Sequence, residues 1–98
     1  MKPFKELDPL LHSQLRLAIM SVLLSVDRAD FTYLREKTEA TAGNLSIQIG
    51  KLKEAGYISV SKSFGESYPQ TMCSVTELGR KKFAEYVAAL NDYLTPNQ

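Results

Sequence analysis

Thr41-Ala42-Gly43-Asn44-Leu45-Ser46-Ile47-Gln48-Ile49-Gly50-Lys51-Leu52-Lys53-Glu54-Ala55-Gly56-Tyr57-Ile58 decides how this chain folds. Leu45, Ile49 and Leu52 recur at helical spacing and share one face. Thr41 is the expected N-cap, with a hydroxyl to accept an otherwise orphaned N–H. Gly56 stands where a left-handed C-terminal cap is wanted, so the helix is expected to end at about Ala55. Tyr57-Ile58-Ser59-Val60-Ser61 then alternates with period two, which is a strand pattern. Upstream, Thr32 reads as the N-cap of a short helix ending near Thr38, with Phe31 in a very short strand before it. Glu39-Ala40 leaves room only for a tight turn between the two helices.

Working outward, Asp8-Pro9 reads as a helix start, aspartate as N-cap and proline where its missing N–H costs nothing. From Leu10 to about Val26 the helix is apolar nearly all round. Leu11, Leu15, Ala18 and Val22 form one face, and Leu10, Leu17, Met20 and Leu24 cover much of another. Such a helix is buried on more than one side, in the core or at an oligomer interface. Asp27 to Asp30 reads as a polar turn. Phe64 to Pro69 is turn-rich and Thr71 to Val75 alternates again, completing a hairpin with a long loop. Thr76 caps a final helix, with Glu77 favourable to its dipole and Phe83, Tyr86, Val87, Leu90 and Leu94 as its apolar stripe. The expected fold is mainly α with a small β-hairpin in one domain, residues 1–98. Its parts are a first helix over about 8–26, a helix-turn-helix over about 32–55, a wing over about 57–75 and a last helix over about 76–94. That is a winged helix-turn-helix.

Composition narrows the chemistry. Ninety-eight residues with 44 % hydrophobic and 23 % charged residues suit one globular domain. At this size a dimer that buries more surface would help. No run approaches the roughly 20 apolar residues of a membrane span, and no secretory pattern opens the chain. The single Cys73 cannot form an internal disulfide, which points to a cytoplasmic setting. Cys73 reads as a buried small hydrophobe, with a redox switch as the alternative. With one cysteine and one histidine, His12, no metal site or other cofactor is expected. Nor does any nucleophile-base pair, paired-acid site or phosphate-binding glycine loop suggest an enzyme.

Thr41 to Ser46, Lys51-Leu52-Lys53-Glu54-Ala55-Gly56-Tyr57-Ile58, Val75-Thr76-Glu77-Leu78-Gly79-Arg80 and Asp30 to Arg35 together resemble the compact winged-helix transcriptional regulators of the MarR/ArsR type. The resemblance runs from about Leu7 to Leu94. It implies a homodimeric regulator that binds double-stranded DNA and pairs through its first and last helices, acting as a repressor by analogy. The chain departs from the family pattern at Glu39, where glycine is common, at Gly50, where a basic residue is common, and at Glu66 and Gln70 in the wing.

Under that resemblance the helix over 41–55 is the recognition helix, with an unusually bare outer face. Gly43 and Gly50 either let the backbone approach a duplex or mark a weakly specified surface. Asn44 and Gln48 carry amides able to pair with adenine, or else serve as cap and solvated surface. Outward-pointing Ile47 suits a thymine methyl or a partner protein. Thr41, Ser46 and the helix N-terminus suit phosphate, as does Lys51 on the flank. Lys62, Ser63 and Tyr68 are the wing candidates, or a solvated hairpin tip. Positions 41–70 carry three lysines against two glutamates, a thin footprint for a DNA binder. Arg16, Arg28 and Arg35 add to it if they flank the same surface. Leu10, Leu11, Leu17 and Leu24 with Val87, Leu90, Tyr93 and Leu94 are the expected dimer interface. The expected site is then near-palindromic. With no separate sensing domain, an effector would bind between subunits or against the wing. The competing reading is a winged-helix protein-interaction module with weak or no DNA binding, favoured by low charge, Ile47 and Glu66.

Overall fold

A computed structural model of the chain describes residues 4–64 and 69–95, with backbone alone at 63, 64 and 69. The element order is α1 (Gln14–Val26), β1 (Arg28–Asp30), α2 (Phe31–Thr38), α3 (Ala42–Glu54), β2 (Ile58–Phe64), β3 (Pro69–Val75) and α4 (Glu77–Leu94). This is the winged helix-turn-helix order. The hairpin, however, is part of a three-stranded antiparallel sheet with β3 in the middle. The third strand is Arg28–Asp30, which the sequence reads as a polar turn, with the strand placed instead at Phe31. Pairing explains it: Ala29 sits opposite Cys73, and Cys73 opposite Val60, so the three share a row across the sheet. Ala29 and Cys73 are buried and Val60 is half-buried against the core.

The caps decide the helix bounds. α1 starts at Gln14 rather than Asp8, because Asp8 closes a turn first. Its carbonyl accepts from Leu11 and His12 N–H at 3.1 and 2.8 Å, and its Oδ1 accepts from Leu10 N–H at 2.9 Å. Asp30, not Thr32, caps α2, its Oδ1 accepting from Tyr33 N–H at 2.8 Å. Thr41 and Thr76 cap α3 and α4 as expected. At the far end of α3, Gly56 has φ +82°, and the N–H groups of Gly56 and Tyr57 donate back to Lys53 and Leu52. This double closure is the Schellman arrangement, which requires the left-handed conformation that glycine adopts without strain.

The core gathers Leu11, Ile19, Met20, Leu23, Leu34, Leu45, Leu52 and Ile58, all at most 2 % exposed. No polar residue is buried among the described residues. The radius of gyration, 15.1 Å, exceeds the roughly 13 Å of a compact chain of this length. Segment 4–12 lies along α4. Tyr93 donates to Lys5 O at 2.9 Å and stacks on Phe4, while the Tyr86 hydroxyl hydrogen-bonds with His12 Nδ1. Among the described residues no helix is long and apolar enough to cross a membrane.

Candidate nucleic-acid interface

Because Leu45, Ile49 and Leu52 are committed to the core, the opposite face of α3 projects into solvent. Gly43, Asn44, Ser46, Ile47, Gly50 and Lys51 are all exposed, Ile47 by 58 %. A Cβ at Gly43 or Gly50 would meet nothing within 4 Å among the described residues. Internal packing therefore does not demand glycine at either position. The result is a shallow strip along the helix with one apolar side chain standing on it. Gly50→Ala is expected to stabilise the fold by about 1 kcal/mol, since alanine is the better helix former and has open space. Thermal denaturation checks this; a lower melting temperature would mean that the position is not an open helical site.

On one flank the amides are engaged. Arg16 of α1 donates through Nη1 to Gln48 Oε1 at 2.5 Å and through Nε to Leu10 O at 2.6 Å. Gln48 Nε2 in turn donates to Asn44 Oδ1 at 2.9 Å. Asn44 and Gln48 line an open cleft of about 420 Å³ with Ser13, Leu15, Ala18 and Thr38. Gln48 is half-buried there, unlike Asn44. The sequence treats Arg16 only as a possible flanking charge, because no local pattern links positions 32 residues apart. Thr41 is exposed, and its Oγ1 accepts from Asn44 N–H at 3.2 Å.

Lys51 and Lys53 occupy the last turn of α3, where they also favour the negative end of the helix dipole. On the wing, Lys62 is exposed on β2 opposite Thr71. Ser63 pairs through its backbone with Gln70, and Tyr68 lies outside the described residues, as does Glu66.

The expected dimer residues separate into two groups. Leu11 is fully buried in the core of the single chain, so it has no surface to offer a partner. Leu10, Leu17, Leu24 and Leu90 are half-buried, whereas Val87 and Leu94 are 41 % and 69 % exposed. Tyr93 is 41 % exposed but already engages Phe4 and Lys5 of its own chain.

Two further groups have their protons held tightly. Burial, then the charge of Asp30, pushes the Cys73 thiol up to about 11. The side chain is 1 % exposed, so it stays a protonated small hydrophobe, which removes the basis for a redox switch. Burial, then the bond to Asp8, pushes the Tyr57 phenol up to about 12. Its hydroxyl donates to Asp8 Oδ2 at 2.5 Å and pins the N-terminal turn to the start of the wing.

Comparison with known proteins agrees with this geometry. The winged helix DNA-binding domain family matches residues 15–94. An uncharacterized protein of Methanocaldococcus jannaschii is 33 % identical over 76 residues, covering 78 % of this chain and 83 % of that one. The structure of a transcriptional regulator homologue from Pyrococcus horikoshii superposes with a TM-score of 0.83 at 25 % identity, over 89 % of this chain and 86 % of that one. A MarR family transcriptional regulator from Silicibacter pomeroyi shares the fold with a TM-score of 0.66 at 22 % identity, over 84 % of this chain and 54 % of that one. The matching family is a DNA-binding one, and the fold is shared with proteins described as transcriptional regulators. With a match spanning both the helix-turn-helix and the wing, the chain belongs to the winged helix DNA-binding domain family.

Proposed function

We propose that this chain is a cytoplasmic, homodimeric transcriptional regulator that sets α3 into the major groove of a near-palindromic duplex site. The observation that carries the reading is the stripped outer face of α3. Two glycines with open space above them flank an exposed Ile47. A backbone free of side chains can sit close to base edges, and an isolated methyl-rich side chain matches the C5-methyl of thymine. Thr41, Ser46 and Lys51 then serve phosphate oxygens, and Lys62, Ser63 and Tyr68 bring the wing to the backbone or minor groove. Occluding a promoter makes the regulator a repressor.

Dimerisation is supported by the exposed apolar side chains of α4. Val87 and Leu94 lie seven residues apart on one face, and half-buried Leu17 and Leu24 repeat the same spacing on α1. A two-fold pair would place two α3 helices about one duplex turn apart, roughly 34–36 Å. Val87→Glu is expected to convert a sedimenting dimer into a monomer at micromolar concentration. It should weaken site binding in parallel, because a single half-site then acts alone. A wild-type chain that already sediments as a monomer would remove the dimer.

Few cations face the groove, so the salt dependence of binding should be shallow. Each neutralised phosphate contributes about 0.9 to the slope of log K against log salt, and Lys51 and Lys62 with a few arginines yield a slope well below ten. A titration between low and moderate salt measures it, and a slope near ten would place most of the basic contacts elsewhere. The direct test of function is an electrophoretic shift against genomic fragments, with Asn44→Ala and Lys62→Ala as controls. Retarded complexes that weaken in both variants support the regulator. Failure to shift any fragment would favour the protein-interaction module, for which exposed Ile47 and the low charge speak.

A further inference from the structure

We infer that Arg16, although it lies on α1, is a specificity-determining positioning residue that fixes which atoms of Asn44 are offered to the duplex. The inference rests on the DNA-binding reading above and goes beyond it to name the class of base edge selected.

The physical basis is the one-way character of the Arg16, Gln48 and Asn44 chain. A guanidinium has donors and no acceptor, so only the carbonyl oxygen of Gln48 can face it. The amide nitrogen of Gln48 must then point away from Arg16, and it donates to Asn44 Oδ1. That bond turns the Asn44 oxygen toward Gln48, one helical turn along, while the Asn44 Nδ2 hydrogens meet no acceptor among the described residues. Arg16 is itself anchored, since its Nε donates to Leu10 O at 2.6 Å. The direction is therefore imposed from α1 and carried through two amides to the exposed flank of α3.

The consequence is a change in what Asn44 can read. Adenine is matched by an amide that offers a donor and an acceptor together, to N7 and N6–H respectively. Here one of the two acceptor sites of Oδ1 is taken and the oxygen is turned toward Gln48, so the edge left to a base is richer in donors. Such an edge matches bases that present acceptors alone in the major groove, guanine through O6 and N7 or thymine through O4. Cutting the chain at Arg16 frees both amides to rotate, which restores the adenine pairing. Lysine at the same position also carries donors only, so it preserves the direction wherever it reaches Gln48.

Selection from a random duplex pool, run in parallel on the wild type, Arg16→Met, Arg16→Lys and Asn44→Ala, tests this. Asn44→Ala identifies the base pair that depends on Asn44. At that pair the wild type should prefer guanine or thymine over adenine by about tenfold, the scale of one good side-chain–base match. Arg16→Met should erase or invert that preference, and Arg16→Lys should keep it. Side-chain amide NMR of the free protein supplies the second readout. Arg16→Met should move the Gln48 and Asn44 side-chain NH2 resonances while backbone resonances of the core stay in place. A wild-type preference for adenine overturns the inference, and so does an Arg16→Met variant that binds uniformly more weakly with the base order unchanged. The latter would make Arg16 a phosphate contact and leave the DNA-binding reading standing. If no duplex is selected although the amide resonances respond to Arg16→Met, the DNA-binding reading itself has failed and the base preference falls with it.

Discussion

Gly79→Ala should lower the melting temperature by more than 10 °C, on the scale of about 3 kcal/mol for an overpacked site that cannot relax. A Cβ at Gly79 would lie 2.1 Å from the Tyr57 carbonyl oxygen and 2.9 Å from its carbon. These are backbone atoms, held from several sides. Tyr57 O accepts from Thr76 N–H at 3.0 Å, and the single Thr76 hydroxyl proton is shared between Gly56 O at 2.6 Å and Tyr57 O at 3.1 Å. The same hydroxyl oxygen accepts from Gly79 N–H at 3.0 Å. One threonine thus ties the end of α3, the start of the wing and the first turn of α4, and the missing Gly79 side chain lets the three come together. Thermal or denaturant unfolding of the variant measures the effect. A loss below about 0.5 kcal/mol, the ordinary range for an unconstrained surface change, would show that α4 can move off the carbonyl freely.

Ile47→Glu should leave stability within about 0.5 kcal/mol of the wild type, because the side chain is more than half exposed and lies outside the buried core cluster of the described residues. Duplex affinity should nevertheless fall about a hundredfold. The carboxylate would stand at the middle of the strip bounded by Gly43 and Gly50, close to phosphates and the electronegative base edges. Like charges brought together in an interface cost several kcal/mol. Raising salt should recover part of the loss by screening the repulsion. Circular dichroism melts beside a binding titration separate the two effects. Unaltered affinity would mean that this face of α3 is turned away from the duplex.

The residues whose partners are near in sequence told most about the fold. Thr41, Gly56 and Thr76 mark element ends by rules that act over a single turn, and all three occupy the expected caps. The apolar period of Leu45, Ile49 and Leu52 likewise carried the buried face of α3. What stayed hidden depends on distance along the chain. Arg28 to Asp30 becomes a strand only because β3 lies alongside it, and three polar-flanked residues show no alternation long enough to detect. Asp8 resembles a helix cap, and the turn it makes is decided partly by a phenol from Tyr57, 49 residues away. Gly79 sits in a recognisable motif, but its reason, the Tyr57 carbonyl, is visible only in three dimensions. Glu39 adopts φ 58°, a left-handed position where glycine would be relaxed, so the departure from the family pattern there is a strained turn closed by its N–H donating to Arg35 O. For the candidate site, the outward set on α3 was legible from the helical spacing of Leu45, Ile49 and Leu52. The coupling of Gln48 to Arg16 was not.

Titrating the uniformly 15N-labelled protein with a selected duplex and following the backbone N–H resonances of Gly43 and Gly50 tests most directly whether the stripped face of α3 enters the groove. Both resonances should shift or broaden on binding, together with Ile47, while those of Leu23 and Leu34 in the core remain in place. A folded protein that binds the duplex with Gly43, Ile47 and Gly50 unmoved, or that leaves every duplex unbound in dilute buffer, would contradict it.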